Sequence, residues 1–353
     1  MMRATVTVGD RVIGAGAPVF IVAEAGVNHN GDVALARELI DVAADAGADA
    51  VKFQTFHAPA LVSREAPKAA YQRETTGGGE SQLDMLRRLE LGLAEHADLK
   101  AHCAKRGVMF FSAAFDDASA DALESLGVQL FKLPSGELTN LPLVRRLAAK
   151  RRPIIVSTGM ATMDEVARAL AAIREAGDPA VALLHCLSAY PAPAAEMNLR
   201  AMDQLRDRFG CPVGLSDHTI GIAVALAAVG RGAAIIEKHF TVDKRWPGPD
   251  HRASLDPREL AEMVRGIREV ESALGDGDKR PMPSELDTRR VARKSVVAAR
   301  PIAAGQRLTP DLVAVKRPGT GISPAELPRV IGRKALRALA ADELIEWTDL
   351  SEP

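Results

Sequence analysis

Apolar residues along this chain fall into short, evenly spaced runs. Eight of them, "PVFIVAEAG", "DAVKFQTF", "GVMFFSAAF", "QLFKLPSG", "RPIIVSTG", "VALLHCLS", "CPVGLSDH" and "AAIIEKHF", are brief and rich in Val, Ile, Leu and Phe. Length and β-branched content predict buried strands rather than pieces of buried helix. Between them lie stretches with helical spacing, such as "VALARELIDVAADAG", "DDASADALESLG", "TMDEVARALAAIREAG" and "GIAVALAAVGRG", several closing on a Gly that stops a helix. Eight strands alternating with helices over roughly 250 residues predict an α/β fold, a (β/α)8 TIM barrel, over residues 1–274. An open doubly wound sheet is the alternative.

Beyond Leu274 the pattern changes. Residues 275–294, "GDGDKRPMPSELDTRRVARK", are polar and rich in Gly, Pro and charge, as a linker is. Residues 295–353 form short segments punctuated by Pro and Gly with little helical periodicity, which predicts a small, mostly β C-terminal domain.

Composition narrows the partners. Aliphatic residues dominate and aromatics make up only 4%, the profile of a globular protein. A formal net charge of -1 supplies no basic field for nucleic acid or an anionic membrane, so the expected partners are small molecules. The three cysteines, Cys103, Cys186 and Cys211, lack the spacing of a disulfide framework or zinc knuckle. The opening "MMRATVTVGDRVIGAG" has no signal-peptide core, and no apolar stretch reaches spanning length. Cytoplasmic placement is the expectation.

A barrel places its active site at the C-terminal strand ends. Polar residues collect there: Glu24 with Asn28 and His29, Lys52 with Gln54, Ser112, Lys132 with Ser135 and Glu137, Ser157 with Thr158, His185 with Ser188, Ser216 with Asp217 and His218, and Glu237 with Lys238 and His239. All are expected to converge on one mouth. His218 and His239 close consecutive strands, and two neutral imidazoles with open positions beside them suit a divalent cation, Mn2+ or Mg2+, acting as a Lewis acid. His185 has no such partner and is read as an interior hydrogen-bonding residue. Lys52 and Lys132 sit inside apolar runs, where an ammonium needs an anion. With the hydroxyls of Ser135, Ser157 and Ser216 they form a cradle for a phosphate and a carboxylate. Glu24 and Glu137 follow apolar strands where burial raises a carboxylate's pKa, and they are the candidates for proton transfer. Asp217 either orients a neighbour or reacts. "TTGGGESQ" has no strand leading into it and lacks the Lys-Ser/Thr of a phosphate loop.

The strings "FIVAEAGVNHNG", "AVKFQTF", "KLPSGELTNLPL", "IIVSTGMAT", "LLHCLSAYPAP", "GLSDHTIG", "EKHFTVD", "PGPDH" and "VKRPGTGI", in that order from about Pro18 to Ile345, resemble the bacterial sialic acid synthase family. The resemblance implies a TIM barrel followed by a small antifreeze-like (SAF) domain. It also implies condensation of phosphoenolpyruvate with an N-acetylated amino-hexose to a nine-carbon 2-keto acid plus phosphate, with C–O cleavage. It makes His218 and His239 metal ligands; Lys52, Lys132, Ser135, Ser157, Ser188 and Ser216 phosphoenolpyruvate contacts; and Gln54, Tyr190 and Asp250 sugar contacts. Glu24 and Glu137 then lie near the reacting aldehyde. Arg317 in "VKRPGTGI" resembles an arginine that reaches across a domain-swapped homodimer to the partner's sugar. N-acetylneuraminate synthase, acting on N-acetylmannosamine, is the first expectation. The alternative is N,N'-diacetyllegionaminate synthase, acting on a diacetamido-trideoxy sugar; "EAGVNHNG" fits the pseudaminate branch less well. Three positions depart from the family pattern: Ala113 in "SAAF" replaces a hydroxyl that helps hold phosphate, Ser188 stands where the neuraminate synthase that best matches this pattern has Asn, and "PSGE" replaces the commoner "GSGE".

Overall fold

The computed structural model describes residues 4–77 and 79–352. Residue 78, in the middle of the Gly-rich run, the first three residues and residue 353 lie outside them. The chain divides into two compact units, Met1–Gly275 and Asp276–Pro353.

The first unit opens with an antiparallel hairpin, β1 (Thr5–Val8) and β2 (Arg11–Gly14). Eight parallel strands follow: β3 (Phe20–Gly26), β4 (Ala50–Thr55), β5 (Met109–Ala114), β6 (Phe131–Leu133), β7 (Ile154–Ser157), β8 (Val181–Cys186), β9 (Val213–Asp217) and β10 (Ile235–His239). They close in the order β10-β3-β4-β5-β6-β7-β8-β9, each falling within one of the eight apolar runs. The unit is a TIM barrel. Helices α1 (Val33–Asp45), α2 (Ala58–Leu61), α3 (Ala70–Thr76), α4 (Gln82–Leu89), α5 (Leu93–Arg106), α6 (Asp117–Ser125), α7 (Leu141–Ala149), α8 (Met163–Ala176), α9 (Ala201–Phe209), α10 (Ala223–Gly230) and α11 (Pro257–Leu274) connect them. Local chemistry starts and stops these helices. The Asp32 carboxylate caps α1, Thr162 with Glu165 and Asp256 with Glu259 form capping boxes on α8 and α11, and left-handed Gly107 and Gly210 end α5 and α9.

Because side chains alternate along a strand, each strand sorts its residues into two sets. Ile21, Val51, Phe53, Phe131, Val156, Leu183, Leu215 and Ile236 belong to the cluster shared with the helices. Phe20, Val22, Ala50, Phe111, Ile155, Ala182, Leu184 and Ile235 belong to a second cluster inside the barrel. Val6, Val8 and Ile13 of the hairpin join that inner cluster, so β1 and β2 plug the N-terminal end of the barrel. The plug was not expected from the sequence.

In the second unit, β11 (Ser295–Ala298) pairs antiparallel with β12 (Val313–Lys316), and isolated bridges such as Ile302–Leu339 and Ala335–Leu350 complete an irregular β domain. Val296, Ala298, Leu308, Val330 and Ile345 are in its core. The segment read as a linker contains a helix, α12 (Leu286–Ala292), and the Arg290 carbonyl accepts from Gly319 N–H. The short helix α13 (Leu327–Val330) lies further along. Ser295 Oγ donates to the Pro318 carbonyl at 2.7 Å and accepts from Gly321 N–H at 2.9 Å, pinning the turn that carries the exposed Arg317.

Candidate active site

The inward set that packs the barrel floor becomes polar one step further toward the C-terminal ends. Phe20 and Val22 are followed by Glu24, Ala50 by Lys52 and Gln54, Ile155 by Ser157, Leu184 by Cys186, and Ile235 by Glu237 and His239. The same parity turns Lys132, Ser216 and His218 inward. These residues line one cavity of about 430 Å³, together with Ser135, Glu137, Ser188, Tyr190 and Asp250 from the following loops. Two glycines leave room for the approach. A Cβ on Gly26, at φ +54°, would stand 3.2–3.3 Å from Glu24 Oε1, Gln54 Nε2 and His239 Cε1. One on Gly159 would collide with the hydroxyls of Ser188 and Ser135.

Charge is concentrated on the cavity floor. Lys52 Nζ lies 2.8 Å from Glu24 Oε2 and 3.6 Å from Glu237 Oε1; Lys132 Nζ lies 3.7 Å from the same Glu237 oxygen and donates to Ser157 Oγ at 2.7 Å. Ser216 Oγ donates to Glu237 at 3.1 Å, and Gln54 Nε2 to Glu24 at 3.2 Å. Burial pushes the Glu24 carboxyl up to about 7, against the pull of Lys52 and with the push of Glu237. Burial also raises Glu237, but Lys132 and Lys52 outweigh it and hold its carboxylate low. Burial lowers Lys52, yet Glu237 and Glu24 bring it above the usual lysine value, whereas burial prevails at Lys132. The floor therefore holds a carboxyl poised near neutrality beside two lysines that face the cavity. Glu137 is half-buried at the rim, accepts from Asn140 Nδ2 at 2.7 Å, and is raised by burial.

The two histidines stand together, ring centroids 5.4 Å apart, with Tyr190 against both. His218 Nδ1 donates to the Leu187 carbonyl at 2.8 Å, so in the neutral ring Nε2 carries the lone pair; burial lowers this imidazole, but Cys186 and the Leu187 carbonyl bring it above the usual histidine value. At His239, burial and then neighbouring His218 and Lys52 hold the imidazole neutral. His239 Nδ1 and Asp250 Oδ1 are buried with no hydrogen-bond partner, and Asp250 Oδ2 is 3.8 Å from His239 Nδ1. Among the described residues no three His, Cys, Asp or Glu side chains form a ready-made metal cluster. The donors present fit a cation held by two imidazoles, with its other positions filled by oxygen from substrate or water.

Several residues expected at the mouth do not line the cavity. Ser112, Asp217 and Lys238 have the other parity or lie one step off it. Ser112 Oγ meets Thr55 Oγ1 at 2.7 Å, and Lys238 Nζ donates to Asp217 Oδ2 at 2.7 Å between barrel and helices. Asp217 also accepts from Thr219 N–H and hydroxyl, so it orients the loop around His218. His185 Nε2 hydrogen-bonds the Met197 carbonyl, the interior role expected of it. Thr158 Oγ1 donates to the Leu184 carbonyl. Asn28 Nδ2 donates to the Phe240 carbonyl and Ser254 Oγ, and His29 Nδ1 accepts from Gly31 N–H, so both shape the turn after β3. Arg317 belongs to the second unit.

Sequence reasoning missed other lining residues. Cys186 Sγ is 3.9 Å from both His218 Nδ1 and Ser188 Oγ; burial raises the thiol, but the His218 hydrogen bond leads the effects that bring it to about 7. Inward parity identifies it, as it does Glu237. Tyr71 of α3 stacks on Tyr190 at 5.0 Å, and an apolar wall from the α2–α4 segment faces the same space. No strand pattern points to them.

A closed barrel with lysines, hydroxyls and paired imidazoles at its C-terminal mouth defines an enzyme of anionic substrates. Residues 39–279 match the NeuB family, and residues 293–351 match the SAF domain. The chain is 47% identical to N,N'-diacetyllegionaminic acid synthase of Campylobacter jejuni, over 92% of this chain and 98% of the relative. It is 44% identical to the protein of that name from Legionella pneumophila, over 95% of each. Among solved structures it resembles an N-acetylneuraminic acid synthetase from Leptospira borgpetersenii at 35% identity and TM-score 0.72, covering 81% of this chain and 95% of that one. The chain belongs to the NeuB family and is a phosphoenolpyruvate-dependent nonulosonate synthase, an enzyme of the transferase type.

Proposed function

We propose that this enzyme condenses phosphoenolpyruvate with a diacetamido-trideoxy amino-hexose, forming an N,N'-diacetyllegionaminate-type 2-keto acid and releasing phosphate. The observation that carries the chemistry is the inward ring of Lys52, Lys132, Ser157, Ser216, His218 and His239 around one cavity. The choice of sugar is supported by the relatives at 47% and 44% identity. They favour the diacetamido sugar over N-acetylmannosamine, the first expectation from sequence motifs.

In this reading Lys52 and Lys132 bind the phosphate and carboxylate of phosphoenolpyruvate by charge-assisted hydrogen bonds, helped by Ser135, Ser157, Ser188 and Ser216. Phosphoenolpyruvate replaces Glu237 as the main anion facing Lys132, whose charge is under-compensated by its neighbours. Ala113 contributes no hydroxyl to that cradle. His218 and His239 would hold Mn2+ or Mg2+, which when bound polarises the sugar aldehyde. Tyr190, Gln54 and Asp250 orient the open-chain sugar so that its aldehyde carbon faces C3 of phosphoenolpyruvate. The C–C bond forms, water adds at C2, and the C2–O bond to phosphate breaks. Glu24, poised near neutrality, holds or releases the proton at the aldehyde oxygen or the incoming water. Glu137 at the rim is the second candidate.

The same reading takes the protein as a domain-swapped homodimer in which Arg317 donates to the N-acetyl carbonyl in the partner's barrel. It places the enzyme in the cytoplasm, in keeping with three buried free cysteines and with no helix among the described residues long and apolar enough to cross a membrane. Phosphate release from phosphoenolpyruvate, measured with the diacetamido sugar and with N-acetylmannosamine, tests the function. Higher kcat/KM with the diacetamido sugar is expected, and release without any sugar would refute it.

A further inference from the structure

Asp250 lines the cavity from the loop after β10, and among the described residues no hydrogen bond steers its carboxylate. Oδ1 is buried without a partner, and Oδ2 stands 3.8 Å from His239 Nδ1, beyond hydrogen-bond reach. Its direction is therefore set by the main chain at position 250. The loop leaves the barrel at Phe240 and returns at Leu255, where the two residues bridge. Between those points its main chain is held from the turn after β3.

Two ties do the holding. Asn28, fully buried, donates from Nδ2 to the Phe240 carbonyl at 2.8 Å and to Ser254 Oγ at 2.9 Å, and Ser254 Oγ donates to the Asp250 carbonyl at 2.7 Å. The direction of this relay is forced. Both carbonyls only accept, so the single Ser254 proton goes to Asp250 and both amide protons of Asn28 are committed. In the second tie, Asn30 Nδ2 donates to the Pro247 carbonyl at 2.9 Å and Asn30 Oδ1 meets His251 Nε2 at 3.3 Å, while His251 Nδ1 pairs with Thr241 Oγ1 at 2.7 Å. Gly248 makes room for it: a Cβ there would stand 2.5 Å from His251 Cδ2 and 2.8 Å from Asn30 Oδ1. Only the first tie reaches Asp250 itself.

We propose that Asn28 and Ser254 are positioning residues that fix Asp250 in the sugar site, acting on its main chain through the relay. Neither lines the cavity. The proposal rests on the reading of Asp250 as a sugar contact. None of these hydrogen bonds reaches Lys52 or Lys132, the lysines assigned to phosphoenolpyruvate.

The test is phosphate release by the full chain with Mn2+, phosphoenolpyruvate and the diacetamido-trideoxy sugar. Ser254→Ala removes a single hydroxyl and is the mild variant, its fold checked by circular dichroism. It should raise the KM for sugar about 3- to 10-fold, the worth of one hydrogen bond, and leave the KM for phosphoenolpyruvate unchanged. Asn28→Asp, of the same shape but without a proton for either acceptor, should give the same split by a larger factor. Asp250→Ala should lose more kcat/KM for the sugar than Ser254→Ala does, complete loss included. An unchanged sugar KM in Ser254→Ala, or a rise of both KM values together, overturns the proposal alone. A wild-type sugar KM in Asp250→Ala overturns the assignment of Asp250 and the proposal with it. Absence of phosphate release from wild type with every amino-hexose tried overturns the parent reading and the proposal together.

Discussion

Replacing Lys52 with Met removes an ammonium 2.8 Å from Glu24 and 3.6 Å from Glu237, all three groups being buried. Both carboxylates lose a neutralising partner while remaining largely buried. Deleting one member of a buried ion pair costs about 3–5 kcal/mol. Lys132 supplies the internal comparison. Its contacts are Glu237 at 3.7 Å and Ser157 at 2.7 Å, and burial leaves its pKa below the usual lysine value. Losing Lys132 also takes from Glu237 the cation that most holds its carboxylate low, but the burial of Lys132 is itself not fully offset, so Lys132→Met should lower stability less than Lys52→Met, which strips a partner from two carboxylates. Both variants should bind phosphoenolpyruvate less well. A hydrogen bond to a charged group contributes about 1.5–3 kcal/mol, which corresponds to a rise in apparent KM of about 10- to 150-fold. Urea unfolding of the substrate-free variants gives the first quantity and phosphate-release kinetics the second. Equal stability loss in both variants would refute the electrostatic account. An unchanged KM for phosphoenolpyruvate in both would refute the binding assignment.

EDTA should abolish turnover, Mn2+ or Mg2+ should restore it, and His218→Ala or His239→Ala should abolish it with the fold intact by circular dichroism; full activity of either variant in metal-free buffer would remove the metal from the account. Burial raises Glu24 from 4.5 to about 7, so the folded chain holds more protons than the unfolded one in that window. Stability linked to Glu24 is therefore complete below pH about 4.5 and lost as pH rises through 7, and in chelated enzyme this loss should be absent from Glu24→Gln. Identical pH dependence in the two proteins would contradict the assignment. Mixing Arg317→Ala and His239→Ala chains, each nearly inactive alone, should restore activity after subunit exchange, because one barrel of the swapped dimer then carries neither defect. No recovery after verified exchange would reject the trans arrangement.

The barrel was legible because strands buried on both faces appear as apolar runs whatever their neighbours. Its site was legible to the extent that polar residues interrupting such runs must face something. What the runs do not display is direction. Applying the two-residue alternation from Val22, Ala50, Ile155 and Ile235 separates Glu24, Lys52, Ser157 and Glu237, which point inward, from Ser112 and Lys238, which pack against helices. The hairpin at Thr5–Gly14 carried a weaker signal, alternation around Gly9-Asp10 with Gly9 at φ +60°, in a stretch with few apolar residues. The apolar wall had no local signature. Leu61, Leu86 and Phe115 are far apart in sequence on short helices and a loop, and only tertiary packing makes them one surface.

The central claim, a phosphoenolpyruvate-dependent synthase of diacetamido nonulosonates, is tested most directly by one measurement: phosphate released from phosphoenolpyruvate by the purified full chain with Mn2+, across a panel of amino-hexoses. The account predicts no release without sugar and release equal to nine-carbon 2-keto acid formed, with the diacetamido-trideoxy sugar giving the highest kcat/KM. Sugar-independent release, or a preference for N-acetylmannosamine over the diacetamido sugar, would contradict it.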